Sequence, residues 1–173
     1  DLILDPFVGT GTTVIAARKM ERPAVGIELV DRFVETARDQ LKQSAMSEYT
    51  GEGEYEQRVV HGDCRDVLDY VERESVQAMI TSPPYANLIH KAKDDRDKRD
   101  YSIIKEENNS TIGVYSDDRR DFGNLSYETY IEEIGELMGD LYGVTRPGGY
   151  NIWIVKDFRD TESGRPYIPL HSD

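Results

Sequence analysis

Three carboxylates, Asp5, Glu28 and Asp63, close three short apolar runs, LILD, AVGIE and QRVVHGD. Two glycines, Gly9 and Gly11, follow the first acid in DPFVGTGTT, residues 5–13, and a fourth apolar run, VQAMITS, leads into Ser82-Pro83-Pro84-Tyr85. Closely spaced glycines let a backbone turn tightly and approach a ligand, and the helix amides exposed beyond them favour its binding. Glu28 stands 19 residues after Gly9, the spacing at which a carboxylate at a strand end meets both hydroxyls of a ribose. Asp63, ending the third run, is placed to reach an adenine amino group.

The missing residues narrow the nucleoside. A phosphate-binding loop needs a lysine after its glycines, and none follows here. The dinucleotide fingerprint wants a third small residue where this chain has Val14, and Asp5 at the head of the loop would repel a pyrophosphate. An acid there suits a cation, such as the amino group and sulfonium of S-adenosylmethionine.

These residues need a frame that brings strand ends together. The pattern predicts strands at LILD, AVGIE, QRVVHGD, VQAMITS and YNIWIV. Between them it predicts a helix from Thr12 to Met20 and a second over DRFVETARDQLKQSAM, with Asp31 as N-cap and Phe33, Ala37 and Leu41 in line. A short helix follows at VLDYVER, and a long one at SYETYIEEIGELMGDLYGVT, capped by Ser126, with Tyr130, Ile134, Leu137 and Leu141 on one face and ended by RPGG. SEYTGEGEYE reads as a surface turn. Strands alternating with helices imply an α/β, Rossmann-like fold: a mainly parallel sheet, right-handed crossovers and helices on both faces. Residues 86–125 lack periodicity, and KAKDDRDKRD mixes five basic with four acidic residues. A stretch that long inside a domain is either a solvated loop or a substrate-facing insertion.

With 173 residues, 38% hydrophobic and 32% charged, the chain has the size and composition of one soluble globular domain. The single cysteine, Cys64, precludes an internal disulfide and fits a reducing cytoplasm. The net charge of -13, with 14 Arg against 7 Lys, resembles the acidic exterior of halophilic proteins, and leaves room for a local basic cleft. His61, His90 and His171 have no metal-ligand spacing, so no metal is expected. Trp153 reads as core, and Lys156 as either a phosphate contact or a surface charge. The abrupt start at a strand, and an end at RPYIPLHSD where a helix could begin, read as a fragment of a longer chain.

Taken together, DPFVGTGTT, GIEL, HGDC, TSPPY and GGYNIWIVKD resemble the S-adenosylmethionine-dependent amino-methyltransferases of DNA, which methylate exocyclic nitrogens of cytosine or adenine. The resemblance covers the chain apart from residues 86–125. It implies a cofactor set of Asp5, Pro6, Phe7, Gly9, Thr10, Gly11, Thr12, Glu28, Leu29, Asp63 and Cys64, and a catalytic tetrapeptide Ser82, Pro83, Pro84 and Tyr85. In that family a serine at the first position is associated mostly with cytosine N4 and an aspartate with adenine N6. Two features depart from it. Members with a DPF loop often place the tetrapeptide before the cofactor motif, whereas here it follows. The family sheet has seven strands, and about five are expected here.

The resemblance implies DNA as partner, with the target base flipped out or single-stranded, and a restriction endonuclease or flanking segments of the same chain as further partners. Adenine N6 in DNA, a base in RNA, and an inactive nucleoside-binding subunit are the alternative readings. Cys64 ends the third strand rather than the fourth, a poor place for the nucleophile of a carbon-5 methyltransferase.

Overall fold

The computed structural model describes residues 1–47, 55–84, 116–155, 158–160 and 165–168. Strands β1 (Leu2–Asp5), β2 (Ala24–Glu28), β3 (Gln57–His61), β4 (Val76–Thr81) and β5 (Thr145–Trp153) form a five-stranded sheet in the order β3-β2-β1-β4-β5. Every pairing in it is parallel. Helix α1 (Thr12–Lys19) links β1 to β2 and α2 (Asp31–Ser47) links β2 to β3. A 3-10 turn (Cys64–Asp66) and the short α3 (Val67–Tyr70) lead to β4, and α4 (Tyr127–Val144) to β5. With right-handed crossovers, the reversal of direction after β3 places α1 and α2 on one face and α3 and α4 on the other. The doubly wound α/β architecture expected from the pattern is the one observed.

Two compact units are present: residues 1–83 with 133–155, and residues 84–132 with 156–173. In the first, β2 is apolar up to its last residue because it is covered on both sides: Ala24, Val25 and Ile27 are all buried. One layer of the core gathers Val8, Val14, Ala17, Ala24, Val34, Ala37 and Val59, with Ile3 and Leu41 packed against it. Leu4 and Met79 are buried in neighbouring strands, as are Ile134, Leu137, Leu141 and Val144 along α4. Each such Leu or Val contributes about 1.5–3 kcal/mol over its exposed state. In the second unit Phe122 and Tyr130 meet edge to face, 6.1 Å between centroids, beside the buried Asp121. There β6 (Phe158–Asp160) and β7 (Arg165–Ile168) pair antiparallel.

Some local expectations need correcting. Asp31 is the first helical residue of α2 rather than its cap, so the Phe33 and Val34 amides turn back on the Val30 carbonyl. Ser126 does cap α4, its hydroxyl accepting from the Thr129 N–H at 3.2 Å. RPGG ends the helix yet lies within β5: Thr145 pairs with Val76, the register slips, and regular pairing resumes at Tyr150 opposite Ala78. Gly148 at φ 79° takes up the slip. The RPYI segment forms strand β7. Tyr85, His90, His171, Lys156, residues 86–115 of the proposed insertion and most of the SEYTGEGEYE turn lie outside the described residues. Among the described residues no helix is long and apolar enough to cross a membrane.

Candidate cofactor and catalytic site

Because all five strands run parallel, their carboxyl ends share one edge, and the strand order reverses between β1 and β4. Ligands of open α/β sheets bind outside such a reversal. The candidate residues collect at this edge: Asp5 ends β1, Glu28 ends β2, Asp63 lies two residues past β3, and Ser82 follows β4 directly.

The glycine loop is held from both sides. Its Val8 N–H donates to the Ile27 carbonyl at 3.0 Å and its Gly9 N–H to Glu28 Oε2 at 2.9 Å. Glu28 Oε1 accepts from the Val30 N–H at 2.8 Å. A carboxylate at a strand end of this kind can accept from the hydroxyls of a ribose. Gly9 (φ 54°) and Gly11 (φ 95°) both occupy the left-handed region. A Cβ at Gly9 would meet nothing within 4 Å, whereas one at Gly11 would lie 2.9 Å from the Ala37 Cβ of α2. The first glycine thus leaves open space beside Glu28's amide partner, and the second lets α1 and α2 close together. Open space next to a half-buried carboxylate fits S-adenosylmethionine. Pro6 is buried, Phe7 and Leu29 are half-buried, and Thr10 and Thr12 are exposed.

Asp5 is turned onto its own chain. Its Oδ1 accepts from the Phe7 N–H (3.1 Å) and the Thr81 hydroxyl (2.6 Å), and its Oδ2 from the Thr13 hydroxyl (2.6 Å). Burial pushes its carboxyl above the ordinary range, against the pull of those three bonds.

Asp63 is equally committed. It caps the turn at Cys64 by accepting from the Arg65 N–H at 3.0 Å, and both its oxygens accept from Arg65 Nη1 at 3.0 Å. The same guanidinium donates from Nε to Glu133 of α4 at 2.8 Å, so one arginine joins the β3 loop to α4. Burial, and then the charge of Asp63, push the Cys64 thiol far above its usual value. A thiol held neutral is neither nucleophile nor metal ligand. The native protein should therefore leave Cys64 unmodified by iodoacetamide at pH 8 for hours and expose it on unfolding in guanidinium, as read by mass; rapid native alkylation would contradict this burial.

Ser82 is exposed while Pro83 is buried and Pro84 half-buried. The Ser82 hydroxyl donates to the Ile154 carbonyl at 3.1 Å, and the Ile154 N–H donates to the Thr81 carbonyl at 2.8 Å. With its proton so placed, the serine oxygen presents lone pairs outward. Trp153 is half-buried, in register with Thr81.

Sequence reasoning brought the acids, glycines and serine to one edge and missed their partners. Thr13, Thr81, Arg65 and Glu133 are ordinary residue types at ordinary places, and Arg65 and Glu133 are 68 positions apart. The only local sign was that Thr81 precedes SPPY.

Comparison with known proteins agrees with the motifs. The chain matches the family model of the N6/N4 methyltransferases, described as DNA methylase, over residues 1–39. A tRNA (guanine(10)-N2)-dimethyltransferase of Methanothermobacter thermautotrophicus is 37% identical over 86 residues, which are 49% of this chain and 22% of that protein. Type II methyltransferase M.ScaI of Streptomyces caespitosus is 46% identical over 46 residues, 27% of this chain and 15% of that protein. The alignments thus span about a fifth of these relatives' length. An rRNA methylase from Streptococcus thermophilus aligns with a TM-score of 0.40 at 12% identity, over 49% of this chain and 42% of that one. The fold assignment rests instead on the strand order. In its motifs and in the stretch from β1 into α2, the chain is similar to the DNA amino-methyltransferases.

Proposed function

We propose that this chain carries the cofactor and catalytic motifs of an enzyme that transfers a methyl group from S-adenosylmethionine to the exocyclic amine of a base in DNA, cytosine N4 in the first instance. The observation that carries the reading is the Ser82 hydroxyl at the end of β4, its proton held by the Ile154 carbonyl and its oxygen exposed. Glu28 would hold the ribose, and the space beside Gly9 would take the methionine side.

An exocyclic amine is a poor nucleophile because its lone pair is delocalised into the ring. Two acceptors aimed at its two N–H bonds localise that pair and turn the nitrogen toward tetrahedral geometry. Ser82 Oγ and the Pro83 carbonyl are the acceptors in this proposal. Prolines fix the backbone and add no competing N–H, so the carbonyl is set before the base arrives. S-adenosylmethionine, held by Glu28 and the glycine loop, would supply a sulfonium methyl for the new N–C bond, the electron pair of its S–C bond staying with sulfur. The surplus amine proton is released to water from the serine and proline acceptors. Tyr85 would stack on the extruded base, worth about 1–3 kcal/mol.

One observation favours a second substrate: the 86-residue match is to a protein named for guanine N2 of tRNA. An RNA base is therefore the runner-up, with the same acceptors acting on another exocyclic amine.

The division of labour is tested by Ser82→Ala and Tyr85→Ala in the full-length protein. Each should lower kcat by about 100-fold or more while the Kd for S-adenosylhomocysteine stays within about threefold, by calorimetry. Equal loss of binding and turnover would refute it.

A further inference from the structure

The Asp5 carboxylate is gripped from three elements at the point where the strand order reverses: the glycine loop through the Phe7 N–H, α1 through Thr13, and β4 through Thr81. Both hydroxyl contacts are 2.6 Å, in the range of charge-assisted bonds. Asp5 is 5% exposed and Thr81 2%. Apolar side chains at these positions would fill the same space without the cost of burying a carboxylate. What the polar trio adds is register: a hydrogen bond fixes distance and direction, which apolar contact does not.

Thr81 is used at both ends. Its side chain reaches Asp5, and its carbonyl accepts from the N–H of Ile154, the residue whose own carbonyl holds the Ser82 proton. Ser82 is thus suspended between β5 and, through Thr81 and Asp5, the glycine loop. We infer that Thr81 is a positioning residue for methyl transfer: through Asp5 it sets the placement of Ser82 and Pro83 relative to the loop that holds the cofactor. This rests on the amino-methyltransferase reading. Asp5 then acts as a brace between cofactor loop and catalytic strand end. Such a link acts on the reacting geometry, where a misplacement of about 1 Å costs on the order of 10²-fold in rate. It acts much less on cofactor affinity, because Glu28 holds the loop independently through Gly9 and Val30.

The test uses the full-length protein, labelled S-adenosylmethionine and unmethylated plasmid DNA, with S-adenosylhomocysteine affinity measured in parallel. Thr81→Val keeps the shape and removes the hydroxyl; Thr81→Ala removes both; Thr81→Ser keeps the hydroxyl. The valine and alanine variants should lose about 10- to 100-fold in kcat with cofactor Kd within about threefold, and the serine variant should be near wild type in both. A valine variant with unchanged kcat, a parallel loss of binding and turnover in both loss variants, or a serine variant as impaired as valine would overturn the inference. A wild-type protein that binds no S-adenosylhomocysteine, or methylates no DNA, would instead sink the reading beneath it.

Discussion

Replacing Glu28 by alanine is expected to raise the Kd for S-adenosylhomocysteine by about 100-fold. The carboxylate has two sets of partners. Inside the protein it accepts from the Gly9 and Val30 amides at 2.9 and 2.8 Å, joining the glycine loop to the turn that opens α2. In the proposed complex it also accepts outward from the two ribose hydroxyls. Alanine removes the outward pair, worth about 3 kcal/mol for two hydrogen bonds to a charged group, and each 1.4 kcal/mol is tenfold in affinity. It also leaves two amides without acceptors at a half-buried site, which loosens the loop. Glutamine retains one oxygen for an amide or a hydroxyl and should fall between. Calorimetric titration of both variants decides it: an alanine variant within threefold of wild type would remove Glu28 from the cofactor site.

The second large effect is on stability. Gly11→Ala should destabilise the protein by about 2–4 kcal/mol, combining a left-handed backbone at φ 95° with a Cβ overlap against α2. The Ala37 Cα would lie 3.1 Å away and its Cβ 2.9 Å, so a backbone rather than a flexible side-chain tip must give way. For a domain of this size the melting temperature should fall by about 10 °C. Gly9→Ala, with open space around it, bears only the backbone strain and should melt closer to wild type. An alanine at position 11 that melts with wild type would mean that α1 and α2 are not in this contact.

The contrast shows which features a linear sequence carries. Both glycines were legible as a loop, but only packing against Ala37 separates one from the other. The strands were legible because each is a short apolar run bounded by polar or turn residues, and four of the five both start and end within two residues of where the pattern put them. The apolar face of α4 was legible because Ile134, Leu137 and Leu141 recur at helical spacing and are buried as expected. RPGG was misread because Thr145 and Tyr150 each find a partner in β4 across a slip that no local signal marks. Residues Asp5 and Asp63 were picked out as acids at strand ends, and their positions hold. Their internal partners did not follow from spacing, since Thr81 stands 76 residues from Asp5 and Glu133 68 from Arg65. A long-range hydrogen bond leaves no periodic trace in either segment it joins.

The central claim, methyl transfer to an exocyclic amine of a DNA base, is tested most directly by product identity. Full-length protein would be incubated with methyl-labelled S-adenosylmethionine and either unmethylated plasmid DNA or total tRNA, and the digested nucleosides resolved by mass spectrometry. The account predicts label in N4-methyldeoxycytidine from the DNA, whereas label confined to tRNA nucleosides, or to a base methylated on carbon or a ring nitrogen, would contradict it.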